Sequence, residues 1–458
     1  MQAQRTTWDK SVTSSGAPMG SAGLSHLPNI VFIMADDLGY ADLSCYGRRD
    51  LSTPNIDRIA ERGVRLLQAY ANSAVCSATR LALITGRYQY RLPLGLEEPL
   101  AGKTDVGLPP EHPTLPSLLK EAGYQTSLVG KWHLGMPPKF GPLRSGYDRF
   151  FGMRGGAVDY YTHENPRGEH DLWDGDVPIR RSSYLTGILG DQAVHAINDL
   201  ASRGQPFLLS LHFNAPHWPW EAPGDATESE RLRGTNLRHF DGGTQRTYIR
   251  MIQAMDLQIG RVLQALEANG VSDDTIVIFT SDNGGERFSD TWPFTGVKTE
   301  LLEGGLRVPA LICWPTQIPT GLVSNQVMIT MDWFPTLLAA AGIAPRREYP
   351  ADGMNLLPTL TGQSEPTLRK LFWRYKTNAQ RAVRDGDFKY LKIRDNTFLF
   401  NVVDDPRERA NLQGRRKDLF DRLVSDWNEW NAAMLPEIAD SFGETYTAAQ
   451  LADHIGSR

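Results

Sequence analysis

Short apolar runs rich in β-branched residues alternate with longer amphipathic segments from Asn29 onward. A chain patterned this way buries a mostly parallel sheet between layers of helices, an α/β architecture. The runs expected as strands are 30–35, 126–130, 207–213, 275–281 and 308–314; the segments expected as helices are 55–70, 115–122, 187–202, 247–268 and 333–341. At 458 residues the chain has room for one large domain and a smaller one. Past about residue 365 the texture changes: 381–392 and 397–403 read as paired antiparallel strands with a turn at Asp385-Gly386, and 417–433 reads as a helix. The expected division is an N-terminal arm over 1–28, a main domain over 29–365 and a smaller C-terminal subdomain over 366–458.

The arm is rich in Ser, Gly, Thr and Ala, which predicts disorder, and it has no apolar run of the length a signal-peptide core needs. The longest apolar runs have strand length, so no membrane partner is expected. The 48 basic and 53 acidic residues are intermixed, with a net charge of -5, and leave no basic stripe for a nucleic acid. Cys45, Cys76 and Cys313 make neither a disulfide framework nor a C-x-x-C pair, which points to a reducing compartment. The expected location is the cytoplasm, or the periplasm or exterior if a leader has been removed.

Four expected strands run straight into chemically capable side chains. The first delivers Asp36-Asp37, the second Lys131-Trp132-His133, the third Asn214-Ala215-Pro216-His217 and the fourth Asp282-Asn283-Gly284. Singly, each has an ordinary structural reading as a turn, a cap or a surface histidine. Together they place three carboxylates, an amide, two histidines and a lysine at strand ends, where open parallel sheets bind ligands. Asp36, Asp37, Asp282 and Asn283 offer only oxygen, which suits a hard cation and favours calcium, whose coordination shell is large and adaptable.

The most specific signal is the segment from Cys76 to Arg87, C-S-A-T-R-L-A-L-I-T-G-R. An isolated cysteine is most often a buried structural residue, but this one opens a motif. It resembles the signature of the type I, formylglycine-dependent sulfatases, C-x-(P/A)-x-R followed by T-G-R, with Ala78 where proline is commoner. The resemblance runs from Asn29 to about Asp404. In that arylsulfatase-like family a formylglycine-generating maturation enzyme oxidises the cysteine, and the hydrated aldehyde supplies the nucleophile.

The resemblance implies the fold of the alkaline phosphatase superfamily: a large mixed central sheet flanked by helices, plus a smaller C-terminal subdomain with an antiparallel sheet. It implies one calcium ion per chain, held by Asp36, Asp37, Asp282 and Asn283 with residue 76 completing the shell. Arg80, Lys131, His133, His217 and Lys298 match the residues around the nucleophile and the sulfate. Asp282 is the implied base, His217 the implied proton donor to the departing alcohol, and His133 the group that deprotonates the remaining hydroxyl. The implied reaction converts an aryl or carbohydrate sulfate ester to an alcohol and inorganic sulfate.

Elementary chemistry is consistent with this. A sulfate ester spreads one negative charge over three oxygens, which cations at Lys131, Lys298 and the metal would neutralise. Arg80, four residues after Cys76, shares its face if a helix begins at the cysteine. Lys298 taken alone reads as a solvated surface lysine. Two rivals remain in view: a phosphate or phosphonate ester hydrolase on the same fold, and a catalytically inactive anion-binding protein if Cys76 stays a thiol. Trp218, Trp220 and Tyr160-Tyr161 are candidates for stacking on a sugar or for core packing, and 221–246 is expected to be a long loop shaping the entrance.

Overall fold

The computed structural model describes residues 27–452, so the expected N-terminal arm lies almost wholly outside the described residues. The main sheet is built from β1 Asn29–Ala35, β2 Val64–Leu66, β3 Gln125–Gly130, β4 Arg149–Gly152, β5 Trp173–Asp174, β6 Val177–Pro178, β7 Phe207–His212, β8 Thr275–Ser281, β9 Ala310–Cys313 and β10 Leu322–Ser324. Their order is β10-β2-β9-β8-β1-β7-β3-β4-β5-β6. The four strands that end in polar clusters, β8, β1, β7 and β3, are therefore adjacent, and they are mutually parallel. Parallel neighbours share one carboxyl edge, so four segments scattered along the sequence deliver their side chains to one place.

β1 shows why the sheet is buried on both sides. Val31, Ile33 and Ala35 face a layer made by α1 Pro54–Glu61, α4 Leu185–Ser202 and α5 Gln245–Ala268; Ile30, Phe32 and Met34 face α2 Cys76–Thr85, α3 Leu115–Glu121 and α6 Trp333–Ala340. A strand covered on both faces reads as a continuous apolar run, which is how it was visible in the sequence.

One expectation is corrected. The helix expected over 55–70 stops at Glu61, and 64–66 and 69–70 are strands. Gly63 ends it: a Cβ there would sit 2.0 Å from the Ile312 carbonyl oxygen, so the chain must pass close against β9. The run expected over 308–314 forms β9, which lies antiparallel to both β8 and β2, so the sheet is mixed, as the resemblance implied.

A second sheet of four antiparallel strands follows, β11 Lys370–Tyr375, β12 Gln380–Asp385, β13 Phe388–Ile393 and β14 Asn396–Asn401. The turn expected at Asp385-Gly386 joins β12 to β13. The helix α7 Lys417–Ala432 packs its Leu419, Leu423 and Trp427 against this sheet. No helix among the described residues is long and apolar enough to cross a membrane.

Candidate active site

Cys76 is the first residue of α2, and Val75 before it is extended. Each residue of the motif has a physical task. Ser77 Oγ accepts from the Leu100 backbone N–H at 2.8 Å. Ala78 packs in a core cluster with Tyr70 and Trp373. Thr79 ties its hydroxyl to Ser73 N and O. Arg80, one turn on from the cysteine, donates through Nε and Nη2 to Asp282 Oδ2 at 3.0 and 2.8 Å. In the first turn of a helix the backbone N–H has no intrahelical partner, which is why proline or alanine fits equally at position 78. Gly86 ends the helix in the left-handed region at φ 69°, and a Cβ there would meet the Phe334 ring at 2.4 Å.

Asp36, Asp37, Lys131, His133, His217, Asp282 and Asn283 converge here, buried, whereas Trp132 packs into the core. Asp36 Oδ2 accepts from Lys131 Nζ at 2.6 Å, Asp37 Oδ2 accepts from Lys298 Nζ at 2.8 Å, and Asp37 Oδ1 accepts from Asn283 Nδ2 at 2.7 Å. The three carboxylates thus face three cations, Arg80, Lys131 and Lys298, and the burial of each ion is offset by a partner. Burial, opposed by Lys131, raises Asp36 well above the usual carboxylate range. Burial also works against the charge on Asp282, but Arg80 and then Lys131 outweigh it and hold this carboxyl below its ordinary value.

The two histidines are fixed in opposite senses by backbone carbonyls. His133 Nε2 lies 2.8 Å from the Leu100 carbonyl, the same residue that Ser77 anchors, so Nε2 carries the proton and Nδ1 faces Cys76 Sγ at 3.3 Å as an acceptor. His217 Nδ1 lies 2.7 Å from the Trp218 carbonyl, so its Nε2 is the free nitrogen, 3.3 Å from Lys298 Nζ. Burial, and then nearby lysines, push both rings well below the ordinary histidine range. Asp37 and His133 adopt φ of 62° and 60°, a left-handed strain of about 1 kcal/mol or more each that the surrounding contacts must hold in place.

The site is suited to a cation. Ligand atoms of Asp36, Cys76 and Asp282 lie within 4.8 Å of one another, as do those of Asp36, Asp37 and His217. Asp36 Oδ1 and Asn283 Oδ1 are buried without a hydrogen-bond partner, and buried oxygens left in that condition call for a donor or a metal. The thiol of Cys76 itself is a weak nucleophile: burial raises its pKa, and Lys131 and Lys298 only oppose this.

Above Cys76, His133, His217 and Lys298 opens a cavity of about 710 Å³. Of the aromatic candidates only Trp218 lines it. Tyr160 and Trp220 are core residues, and the Tyr160 hydroxyl donates to the Asn214 and His217 carbonyls, bracing the histidine's loop. The expected 221–246 loop contains a short helix, Ala226–Leu232, and supplies Asn236, Arg238 and Phe240 to the cavity wall. Sequence reasoning missed Glu286 and Glu444, whose carboxylates lie 3.8 and 3.7 Å from Lys298 Nζ. Glu286 follows Asp282-Asn283-Gly284-Gly285 closely enough to have been found with them; Glu444 lies in a stretch with no periodicity to mark it.

Comparisons with known proteins now bear on this geometry. Residues 28–343 match the family model described as Sulfatase, and residues 297–429 match one described as N-sulphoglucosamine sulphohydrolase, C-terminal. The chain is 34% identical over 411 residues to N-acetylgalactosamine-6-sulfatase of Canis lupus familiaris, covering 84% of this chain and 76% of that protein. It is 29% identical over 481 residues to arylsulfatase J of Mus musculus, covering 91% and 78%. Among solved structures, Ps i-CgsB in complex with k-i-k-neocarrahexaose superposes with a TM-score of 0.82 at 29% identity, covering 94% of this chain and 98% of that one.

Proposed function

Because the chain belongs to the sulfatase family and is a sulfuric ester hydrolase with an alkaline phosphatase-like fold, we propose that it acts on the sulfate ester of a saccharide, using formylglycine made from Cys76 and a calcium ion. The observation that carries the nucleophile is the position of Cys76, at the start of α2 on the cavity floor, with Sγ 3.3 Å from a histidine nitrogen whose proton sits on the far side of the ring. The saccharide reading is supported by the printed names of relatives, N-acetylgalactosamine-6-sulfatase and a structure in complex with neocarrahexaose.

Asp36, Asp37, Asp282 and Asn283 would hold the calcium ion, with residue 76 beside it, and the two partnerless oxygens among them support this. When present, the ion neutralises charge on the ester's oxygens and the hydrated aldehyde supplies an oxygen nucleophile. The rest falls to the chain's own side chains. Lys131 and Lys298 set two ammonium groups beside the bound anion. Arg80, held by Asp282, keeps a positive charge one turn from residue 76. His133, neutral and with Nδ1 free, takes a proton at residue 76. His217 and Lys298 stand together where the departing oxygen must receive one.

The test is a set of rates for protein coexpressed with a formylglycine-generating enzyme, with the mass of the peptide bearing residue 76 and the metal content measured on the same batch. Saccharide sulfates, nitrophenyl sulfate and a phosphonate monoester are compared. Activity should track the converted fraction and favour sulfate. Full activity from protein with an intact thiol overturns the nucleophile, and a preference for the phosphonate overturns the substrate class.

A further inference from the structure

The stretch after α7 crosses back to the cavity mouth. Glu98 and Gly443 form a parallel bridge, in which Glu98 N donates to the Phe442 carbonyl at 3.0 Å and Glu444 N to the Glu98 carbonyl at 2.7 Å. The Phe442 N–H donates to Glu97, and the Tyr375 hydroxyl donates to the Glu444 carbonyl at 2.8 Å. The backbone at Glu444 is therefore fixed on both sides. Residues 436–452 lie beyond the two family matches, which end at 343 and 429.

The Glu444 side chain is only 5% exposed yet lines the cavity. One oxygen is ion-paired with Arg238, whose guanidinium lies over the Trp218 and Tyr446 rings. The other oxygen, Oε2, is buried without a hydrogen-bond partner, and Lys298 Nζ stands 3.7 Å off, beyond hydrogen-bond reach. Lys298 in turn contacts His217 Nε2, where the leaving oxygen must lie. An acceptor with an empty lone pair direction, set next to the leaving oxygen and neutralised from behind by arginine, fits a hydroxyl donor on the carbon skeleton of the leaving group. As an acceptor only, the carboxylate offers a second sulfate no hydrogen-bond donor at the same place.

We propose that Glu444, positioned by Arg238, is a specificity-determining residue that accepts a hydrogen bond from a free hydroxyl of the sugar beside the scissile sulfate, and so selects monosulfated saccharides over aryl sulfates and over vicinal disulfates. This rests on the sulfatase reading above. The experiment uses the full chain with residue 76 verified as formylglycine and with calcium supplied, and the methyl galactoside monosulfates together with nitrophenyl sulfate as probes. On whichever monosulfate the unaltered protein handles best, Glu444→Gln lowers kcat/KM at least tenfold, chiefly through KM, and the ratio of sugar to aryl turnover falls by the same order. Glu444→Asp keeps the charge but withdraws the oxygen, and shows the same substrate-dependent loss with a melting temperature close to that of the unaltered protein. Equal losses on both substrates, or no loss on the sugar sulfate, overturn the proposal. So does an unaltered enzyme that cleaves aryl but no galactoside sulfate, an outcome that leaves the sulfatase reading standing. Converted, calcium-loaded protein that cleaves no sulfate ester at all overturns both.

Discussion

At His217 the placement of one proton decides the chemistry. The Trp218 carbonyl holds Nδ1–H and burial keeps the ring neutral, so in the proposed role Nε2 passes a proton to a departing oxygen only by relaying one from Lys298 Nζ, 3.3 Å away. A poor leaving group needs that proton far more than a good one does. His217→Ala should therefore slow cleavage of a sugar sulfate by about 100-fold or more while costing nitrophenyl sulfate far less; equal single-turnover losses on the two would leave His217 a merely structural residue. Glu98 offers a second test at this scale. Burial, partly offset by the Lys376 backbone N–H and the Tyr90 hydroxyl, raises its carboxyl from 4.5 to about 8. Below 4.5 it is protonated in both the folded and unfolded chain; between 4.5 and about 8 only the unfolded chain ionises, so stability is lost as pH rises through that window. Glu98→Gln should remove up to about 4 kcal/mol of that decline, read as the difference between the two proteins' denaturation curves at pH 5 and roughly pH 8.5. Residues such as Asp36, Lys131 and Asp282 were legible because each ends an apolar run. Lys298, Glu286 and Glu444 sit in irregular segments, where no period marks a buried charge, and Lys298 was found only by resemblance.

Among the elements, α2 carries the most chemistry per residue. It begins on Cys76, the proposed site of modification, and ends at Gly86, whose left-handed conformation and 2.4 Å approach to the Phe334 ring leave no room for a side chain. Gly86→Ala should cost about 2–4 kcal/mol from backbone strain and overpacking. Because the fault lies ten residues from Cys76, a lowered melting temperature with metal content intact is the expected pattern; an unchanged melting temperature would show that the T-G-R turn is not under this constraint. The helices expected from 115 onward and the strands expected in the main sheet were readable to within a few residues, since packing on one or both faces imposes a period. The helix expected over 55–70 was not: Val64, Leu66 and Tyr70 continue its apolar character, and only the approach of Gly63 to the Ile312 carbonyl, a contact 249 residues distant in sequence, ends it.

For the whole molecule, the proposed cation site joins two distant loops. Asp36 and Asp37 leave β1, and Asp282 and Asn283 leave β8, so an ion bound between them bridges segments about 245 residues apart. A ligand that binds only the folded state raises stability as its concentration rises above its dissociation constant. Calcium should therefore raise the melting temperature of chelated protein as well as restore turnover, and Asp36→Asn should abolish both responses; chelation without effect on either would overturn the site. The fold class was legible because the alternation of runs persists through the chain, whereas the antiparallel placement of β9 depends on a long-range pairing that no local pattern states. The same separation along the chain has a meaning in time. Arg80 and Asp282, which meet at 2.8 Å, are 202 residues apart, and at ribosomal speed that stretch takes roughly 10–40 s to make. During that interval the cysteine has left the ribosome but the strand that closes its chamber does not yet exist. Once β8 is in place Cys76 is 2% exposed at the start of a packed helix, so on this reading the maturation proposed for it belongs to the interval set by the order of synthesis.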